Sequence, residues 1–254
     1  MSRRWKHKFE LKPGCWVFVP EEEAIQQGRK IKQEIESAWR RPEYYFHLTA
    51  GGHVAALKSH LNSDVFIRAD IHQFFNQINR SRVARNLKNI FRSYKKAINY
   101  ADDSVVRLPN CKAKKYILPF GFVQSAIIAS LCFRFSALGI FLEHLRKSGF
   151  VVSVYMDDII ISSRCPIDEM EDVYRNLTTI AIKSGFALNL EKMNGPSTDI
   201  TAFNIELSNG KLAITKKRLS AFESILAESK NPYQIDGILG YIKTVCPAQA
   251  FCFE

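Results

Sequence analysis

No C-x-x-C pair occurs among the six cysteines (Cys15, Cys111, Cys132, Cys165, Cys246 and Cys252), and Cys132 lies inside an apolar run. A zinc site or a disulfide framework is therefore disfavoured, and a reducing, cytoplasmic setting is expected. The sequence also lacks a hydrophobic stretch of spanning length. The longest, Ala126 to Leu142, falls short of the roughly 20 residues a span needs and carries Arg134 near its middle. It reads as one buried helix ending before Gly149, with no membrane partner. The basic start, Met1 to Lys8, is followed by no apolar core, so no signal peptide is expected. Repeats, low-complexity tracts and long linkers are missing too, which leaves one large domain or two to three small lobes. Acid is scarce: 25 Asp and Glu stand against 36 Lys and Arg, a net charge of +11. That excess suits a polyanion such as nucleic acid, although solvated lysine faces would also account for it.

Against this background two adjacent carboxylates stand out. Asp157-Asp158 interrupts the β-branched runs Val151-Val152-Ser153-Val154 and Ile159-Ile160-Ile161. Such runs favour strands, so the pair sits where a hairpin reverses. Like charges side by side repel, the more so in an apolar setting, and Mg²⁺ held by carboxylates and substrate phosphates would relieve them. A solvated Asp-Asp turn is the plain alternative. A third carboxylate, Asp70, lies near the end of the strand expected over Val65 to Ile71. If both strands share a sheet, the three could hold two metals about 3.5–4 Å apart.

Around these strands, helices are expected over Glu21–Arg41, from a Ser81 cap onward, over Pro166–Ser184, Lys216–Ala227 and Tyr233–Val245. The helix after Ser81 pairs an apolar stripe (Val83, Leu87, Ile90, Phe91, Tyr94) with a basic one (Arg85, Lys88, Arg92, Lys95, Lys96). The basic stripe could track phosphates or simply face solvent. Strands are expected at Phe186–Leu190, Ile200–Leu207 and Lys211–Ile214, the last two joined at Asn209-Gly210. The mixture reads as α+β with a largely antiparallel sheet.

In order and spacing these segments resemble a reverse transcriptase palm. Asp70-Ile71-His72-Gln73-Phe74-Phe75 is similar to that family's first catalytic motif. Leu118-Pro119-Phe120-Gly121-Phe122-Val123-Gln124-Ser125 resembles its template- and dNTP-contacting motif, and Tyr155-Met156-Asp157-Asp158 its Tyr-x-Asp-Asp box. Gly185 to Lys192 resembles the next motif, with its lysine, and Ala202-Phe203-Asn204-Ile205 falls at the primer-grip hairpin. The likeness spans about Tyr44 to Thr215. It is greatest to bacterial defence-associated and abortive-infection reverse transcriptases. It is less to retron enzymes, since the C-terminal helices lack a Val-Thr-Gly segment. Phe120 stands where a Gln is common, Ala126 where a Pro often follows Ser125, and His53 follows Gly51-Gly52 where relatives carry an Arg.

The resemblance implies a right-hand polymerase: fingers at 1–65 and 81–117, an antiparallel-sheet palm at 66–80 and 118–215, and a reduced helical thumb at 216–254. It implies two Mg²⁺ ions, or Mn²⁺, on Asp70, Asp157, Asp158 and the Ile71 carbonyl. Lys192 would serve the leaving pyrophosphate, and Phe75 would be the gate against a ribose 2′-hydroxyl. Phe74, Gly121, Gln124, Ser125, Tyr155, Lys58 and Arg68 are its further nucleotide contacts. RNA template or non-coding RNA, DNA product and dNTPs are the implied partners, with self-assembly or a partner protein supporting the short thumb. The implied role is antiphage defence in the bacterial cytoplasm. Two rivals remain: a template-independent or protein-primed nucleotidyl transferase on the same palm, and a catalytically silent RNA-binding scaffold.

Overall fold

The computed structural model describes residues 4–111, 113–251 and 253. The chain begins with a hairpin, β1 (Trp5–Lys12) and β2 (Cys15–Pro20), then α1 (Glu22–Ala38), α2 (Gly52–Lys58) and β3 (Val65–Asp70). Next come α3 (Arg80–Phe91), α4 (Tyr94–Ser104), the short pair β4 (Val106–Arg107) and β5 (Tyr116–Ile117), α5 (Ser125–Arg134) and α6 (Ala137–Lys147). The hairpin β6 (Val151–Tyr155) and β7 (Asp158–Ser163) precedes α7 (Ile167–Lys183), β8 (Asn194–Ser197), β9 (Asp199–Ala202), β10 (Ile205–Ser208) and β11 (Lys211–Ile214). Three helices close the chain: α8 (Lys216–Glu228), α9 (Pro232–Val245) and α10 (Pro247–Ala250).

The central sheet runs β6-β7-β3-β8, every neighbour antiparallel. Its two-residue period separates two environments. Val152, Val154, Ile159, Ile161, Ile67 and Ala69 face one way, into the main core with Leu131, Phe133, Leu142 and Leu177. Phe66 and Ile160 face the other way, into a second core with Ile205, Leu207 and Phe222. Arg68, Asp70 and Asp158 share this second face, so the alternation that buries the apolar set also delivers the charged one to a single surface.

Several elements differ from the sequence expectation, each for a local reason. The run Ala126–Leu142 is two helices meeting at 70°. Phe135 caps α5, and the Ser136 side chain accepts from the Gly139 N–H to start α6. Among the described residues no single helix is long and apolar enough to cross a membrane. Asn79, not Ser81, caps α3 by accepting from the Arg82 N–H, a contact worth about 1 kcal/mol. That helix stops at Arg92, in left-handed backbone (φ 56°), and α4 restarts behind a Ser93 cap. Tyr94 is consequently exposed rather than core. Ile200–Leu207 is a hairpin, turning at Phe203 and Asn204 with both φ positive. Phe186–Leu190 forms only one bridge, Leu188 to Ile71.

A buried polar chain ties α2 to the sheet. His60 Nδ1 lies 2.6 Å from Ser162 Oγ, its Nε2 lies 2.8 Å from Ser153 Oγ, and Ser162 donates to Ser63. Burial pushes His60 down to about 3 from 6.5. The folded protein therefore refuses a proton that the unfolded chain accepts. Stability from this group is intact above pH 6.5 and is lost at about 1.4 kcal/mol per pH unit as pH falls toward 3. We expect the stability gap between wild type and His60→Gln to shrink at that rate below pH 6.5 in urea titrations. A pH-independent gap would contradict a buried neutral imidazole.

Candidate active site

The site is built at the end of β3. Asp70 pairs across the sheet with Asp158, and Tyr155 pairs with Asp158 from the other side. Met156 and Asp157 form the two-residue turn, with Met156 in left-handed backbone (φ 59°). Two hydrogen bonds fix this turn. The Ile71 N–H donates to the Asp157 carbonyl (2.9 Å), and the Met156 N–H donates to His47 Nδ1 (3.0 Å). His47 must then carry its proton on Nε2, facing Ser130 Oγ at 2.6 Å. Burial lowers its pKa to about 4, which keeps it neutral and able to accept.

Protein cations meet two of the three carboxylates. Lys192 Nζ donates to Asp70 Oδ2 at 2.8 Å. Arg68 reaches Asp158 Oδ1 through Nη2 (2.8 Å) and Nε (3.2 Å), and its Nη1 donates to the Thr201 carbonyl of β9 (2.8 Å). Asp157 has no ion pair among the described residues. Burial, then Asp158 and Asp70 nearby, push its pKa up to about 6. Burial also raises Asp158, against the pull of Arg68. Lys192 is raised, chiefly by its hydrogen bond to Asp70. Among the described residues no three His, Cys, Asp or Glu side chains stand in ligating array. The backbone brings 70, 157 and 158 together, while Arg68 and Lys192 engage two of the side chains. Three hard carboxylates against two cations leave one excess negative charge, a donor set suited to Mg²⁺ rather than to soft metals. The Ile71 carbonyl is not spent in the Leu188 bridge, which uses the Asp70 carbonyl and the His72 N–H.

A cavity of about 420 Å³ opens beside Asp70 and Asp157. Phe75 and Phe120 line it, their rings edge to face at 4.5 Å. Phe74 also borders it, but its ring packs against Phe133 and Phe186 in the core. Neither Lys58, exposed at the end of α2, nor Arg68 lines it; its cations are Lys192 and Lys12. Lys12 was missed from the sequence, with Pro13, Gly14 and Cys15 beside it, although Pro13-Gly14 is a recognisable turn signal. The tip of the β1–β2 hairpin reaches the cavity because Asn76 Nδ2 donates to the Gly14 carbonyl (2.9 Å).

Three of the expected nucleotide contacts, Gly121, Gln124 and Ser125, do not line this cavity. Gln124, 1% exposed, donates toward the Asp103 carbonyl and Ser104 Oγ beneath α1. Ser125 is buried beside it, and its N–H goes to the Phe122 carbonyl. Gly121, at φ 101°, lets β2 approach: a Cβ there would meet the Phe18 carbonyl oxygen at 2.2 Å. Tyr155 turns away from the cavity into a cluster with His47, His53 and Phe203. The basic stripe is divided between α3 and α4. Lys96 leaves it to pair with Glu34 and lie over the Phe91 ring, whereas Arg85, Lys88, Arg92 and Lys95 remain exposed.

Residues 18–207 match the model of the family described as reverse transcriptase (RNA-dependent DNA polymerase). The chain belongs to the reverse transcriptase family. The retron Ec48 reverse transcriptase of Escherichia coli is 23% identical over 140 residues, covering 55% of this chain and 32% of that protein. A retron enzyme thus stands among the relatives despite the missing Val-Thr-Gly segment. Two solved telomerases share the fold. The apo enzyme of Candida tropicalis superposes with TM-score 0.55 at 13% identity, over 84% of this chain and 43% of that one. The Candida albicans enzyme, solved with a fragment of telomeric RNA, superposes with TM-score 0.50 at 12% identity, over 87% and 45%. The chain thus spans less than half the length of these relatives. Its fold is the right-hand reverse transcriptase one: an antiparallel palm sheet carrying the carboxylates, fingers, and short C-terminal helices in the thumb position.

Proposed function

We propose that this chain is an RNA-directed DNA polymerase, adding dNTPs by two-metal phosphoryl transfer in bacterial antiphage defence. The observation that carries the reading is the register pairing of Asp70 with Asp158 at the mouth of a cavity bordered by Phe75. Asp70, Asp157, Asp158 and the Ile71 carbonyl would hold two Mg²⁺ ions, or Mn²⁺. When bound, the ions would acidify the primer 3′-hydroxyl and take up charge on the leaving pyrophosphate. Lys192, charged and beside Asp70, is placed to neutralise or protonate that pyrophosphate. Fingers at 1–65 and 81–117, palm at 66–80 and 118–215, and thumb at 216–254 complete the reading. RNA is the template, with a second copy of the chain or a partner protein as further partners. The cytoplasm is the assigned compartment.

Incorporation on an RNA template with a DNA primer tests this directly. Product should need Mg²⁺ and follow the template sequence. Phe120 brings an apolar ring into the cavity where relatives carry a Gln. That favours a second reading, untemplated nucleotidyl transfer, which single dNTPs without template would support. RNA binding with no incorporation under any of these conditions would leave the silent scaffold.

Phe75→Ala should raise the use of ribonucleotides by about tenfold to 100-fold relative to dNTPs, because the ring that would clash with a 2′-hydroxyl is gone. Unaltered discrimination in single-turnover assays would remove the gate.

A further inference from the structure

Away from the cavity, four arginines converge on one concavity. Arg40 and Arg41 follow α1, Arg134 ends α5, and Arg146 lies in the last turn of α6. With Tyr44, Glu43 and Glu143 they enclose about 280 Å³ and share no residue with the nucleotide cavity. Four cations against two carboxylates leave a local charge of +2. Arg146 pairs with Glu143 and lies over the Tyr44 ring, whereas Arg40, Arg41 and Arg134 form no ion pair among the described residues.

Helix dipoles account for Arg134 and Arg146 separately, since each sits at a helix C-terminus. They do not account for the gathering of guanidinium groups from three segments around one hollow, where they repel one another. Planar guanidinium forks suit an oxyanion with several acceptor oxygens, a phosphate above all. The hollow also lies on the edge strand β6, which Tyr44 and Tyr45 cover: the Val154 N–H donates to the Tyr44 carbonyl at 2.8 Å. That contact lies two residues before Met156 of the carboxylate turn.

We propose that this hollow is a second nucleic-acid site, taking phosphodiester groups of an RNA strand that extends beyond the catalytic cleft. The choice of RNA rests on the polymerase reading; the anion site itself does not. The test uses the full chain and an end-labelled single-stranded RNA, with affinity measured by fluorescence anisotropy across a series of NaCl concentrations. Substituting Arg40→Gln, Arg41→Gln and Arg134→Gln together should lower the slope of log affinity against log salt by about 0.7 per lost phosphate contact. Affinity should fall about tenfold or more. Arg175→Gln, at an exposed position of α7, removes a charge elsewhere and should leave both quantities at the wild-type level. The exposed Arg40 and Arg41, replaced singly, keep the test available if the triple variant unfolds. A slope and affinity in the Arg variants equal to those of Arg175→Gln would overturn the site. So would a loss of pyrophosphate binding with RNA binding intact, which would assign the hollow to a free anion. Wild-type incorporation is a separate readout, so failure of the polymerase reading is recognised independently.

Discussion

Replacing Asp157 by Asn should stabilise the metal-free protein while abolishing incorporation. At pH 7 the Asp157 carboxylate is ionised against its surroundings, because burial and two neighbouring carboxylates raise its pKa from 3.8 to about 6. A raised carboxylate pKa means that ionisation opposes folding. The penalty is absent below pH 3.8 and complete above pH 6. At about 1.4 kcal/mol per unit, the upper bound is about 3 kcal/mol. Asn keeps the shape and removes the charge. Urea unfolding with EDTA at pH 7 should show the gain, which should disappear on lowering the pH toward 4. Incorporation should drop by about 10³-fold or more, since on the proposed reading the variant loses a metal ligand worth several kcal/mol of transition-state stabilisation. Opposite signs on stability and activity would mark a residue kept for chemistry at the expense of the fold. Full activity in the variant would remove Asp157 from the mechanism.

Arg68→Met should be among the most destabilising substitutions in the chain. Arg68 and Asp158 are 19% and 15% exposed, and the guanidinium also bonds the Thr201 carbonyl. Removing it strands a mostly buried carboxylate and loses the bond to β9, at a cost of about 3–5 kcal/mol. Asp158→Asn in the same chain should recover a large part of that loss, because the stranded charge is removed with its partner. Additive effects in the double-mutant cycle would show that Arg68 and Asp158 are not coupled. Arg68→Lys should fall between, as one ammonium cannot make all three contacts.

The Asp157-Asp158 hairpin was legible because β-branched runs flank an acidic pair and leave one place to turn. Asp70 was legible because an apolar strand ends on it. Lys192 was placed by motif likeness, and the structure sets it on Asp70. Side-chain direction was not legible. Gln124 and Ser125 follow a glycine at a helix start, a pattern that also fits a phosphate site, and only three-dimensional packing puts them beneath α1. Arg68 was expected at the nucleotide, but the two-residue period places it on the face that carries Asp158. The break at Ser136 was hidden inside continuous helix-forming composition. The Phe203–Asn204 turn lacks both Gly and Pro, so its two strands read as one. His47 carried no signal at all: its part in holding Met156 depends on a contact 109 residues distant in sequence.

One wall of the cavity beside Asp70 and Asp157 is Lys12 to Cys15, clasped by Asn76. On the proposed polymerase reading, selection of the incoming sugar and base would be shared between the opening hairpin and the ring at position 75. Alterations at the Lys12–Cys15 tip would then change which nucleotides are accepted.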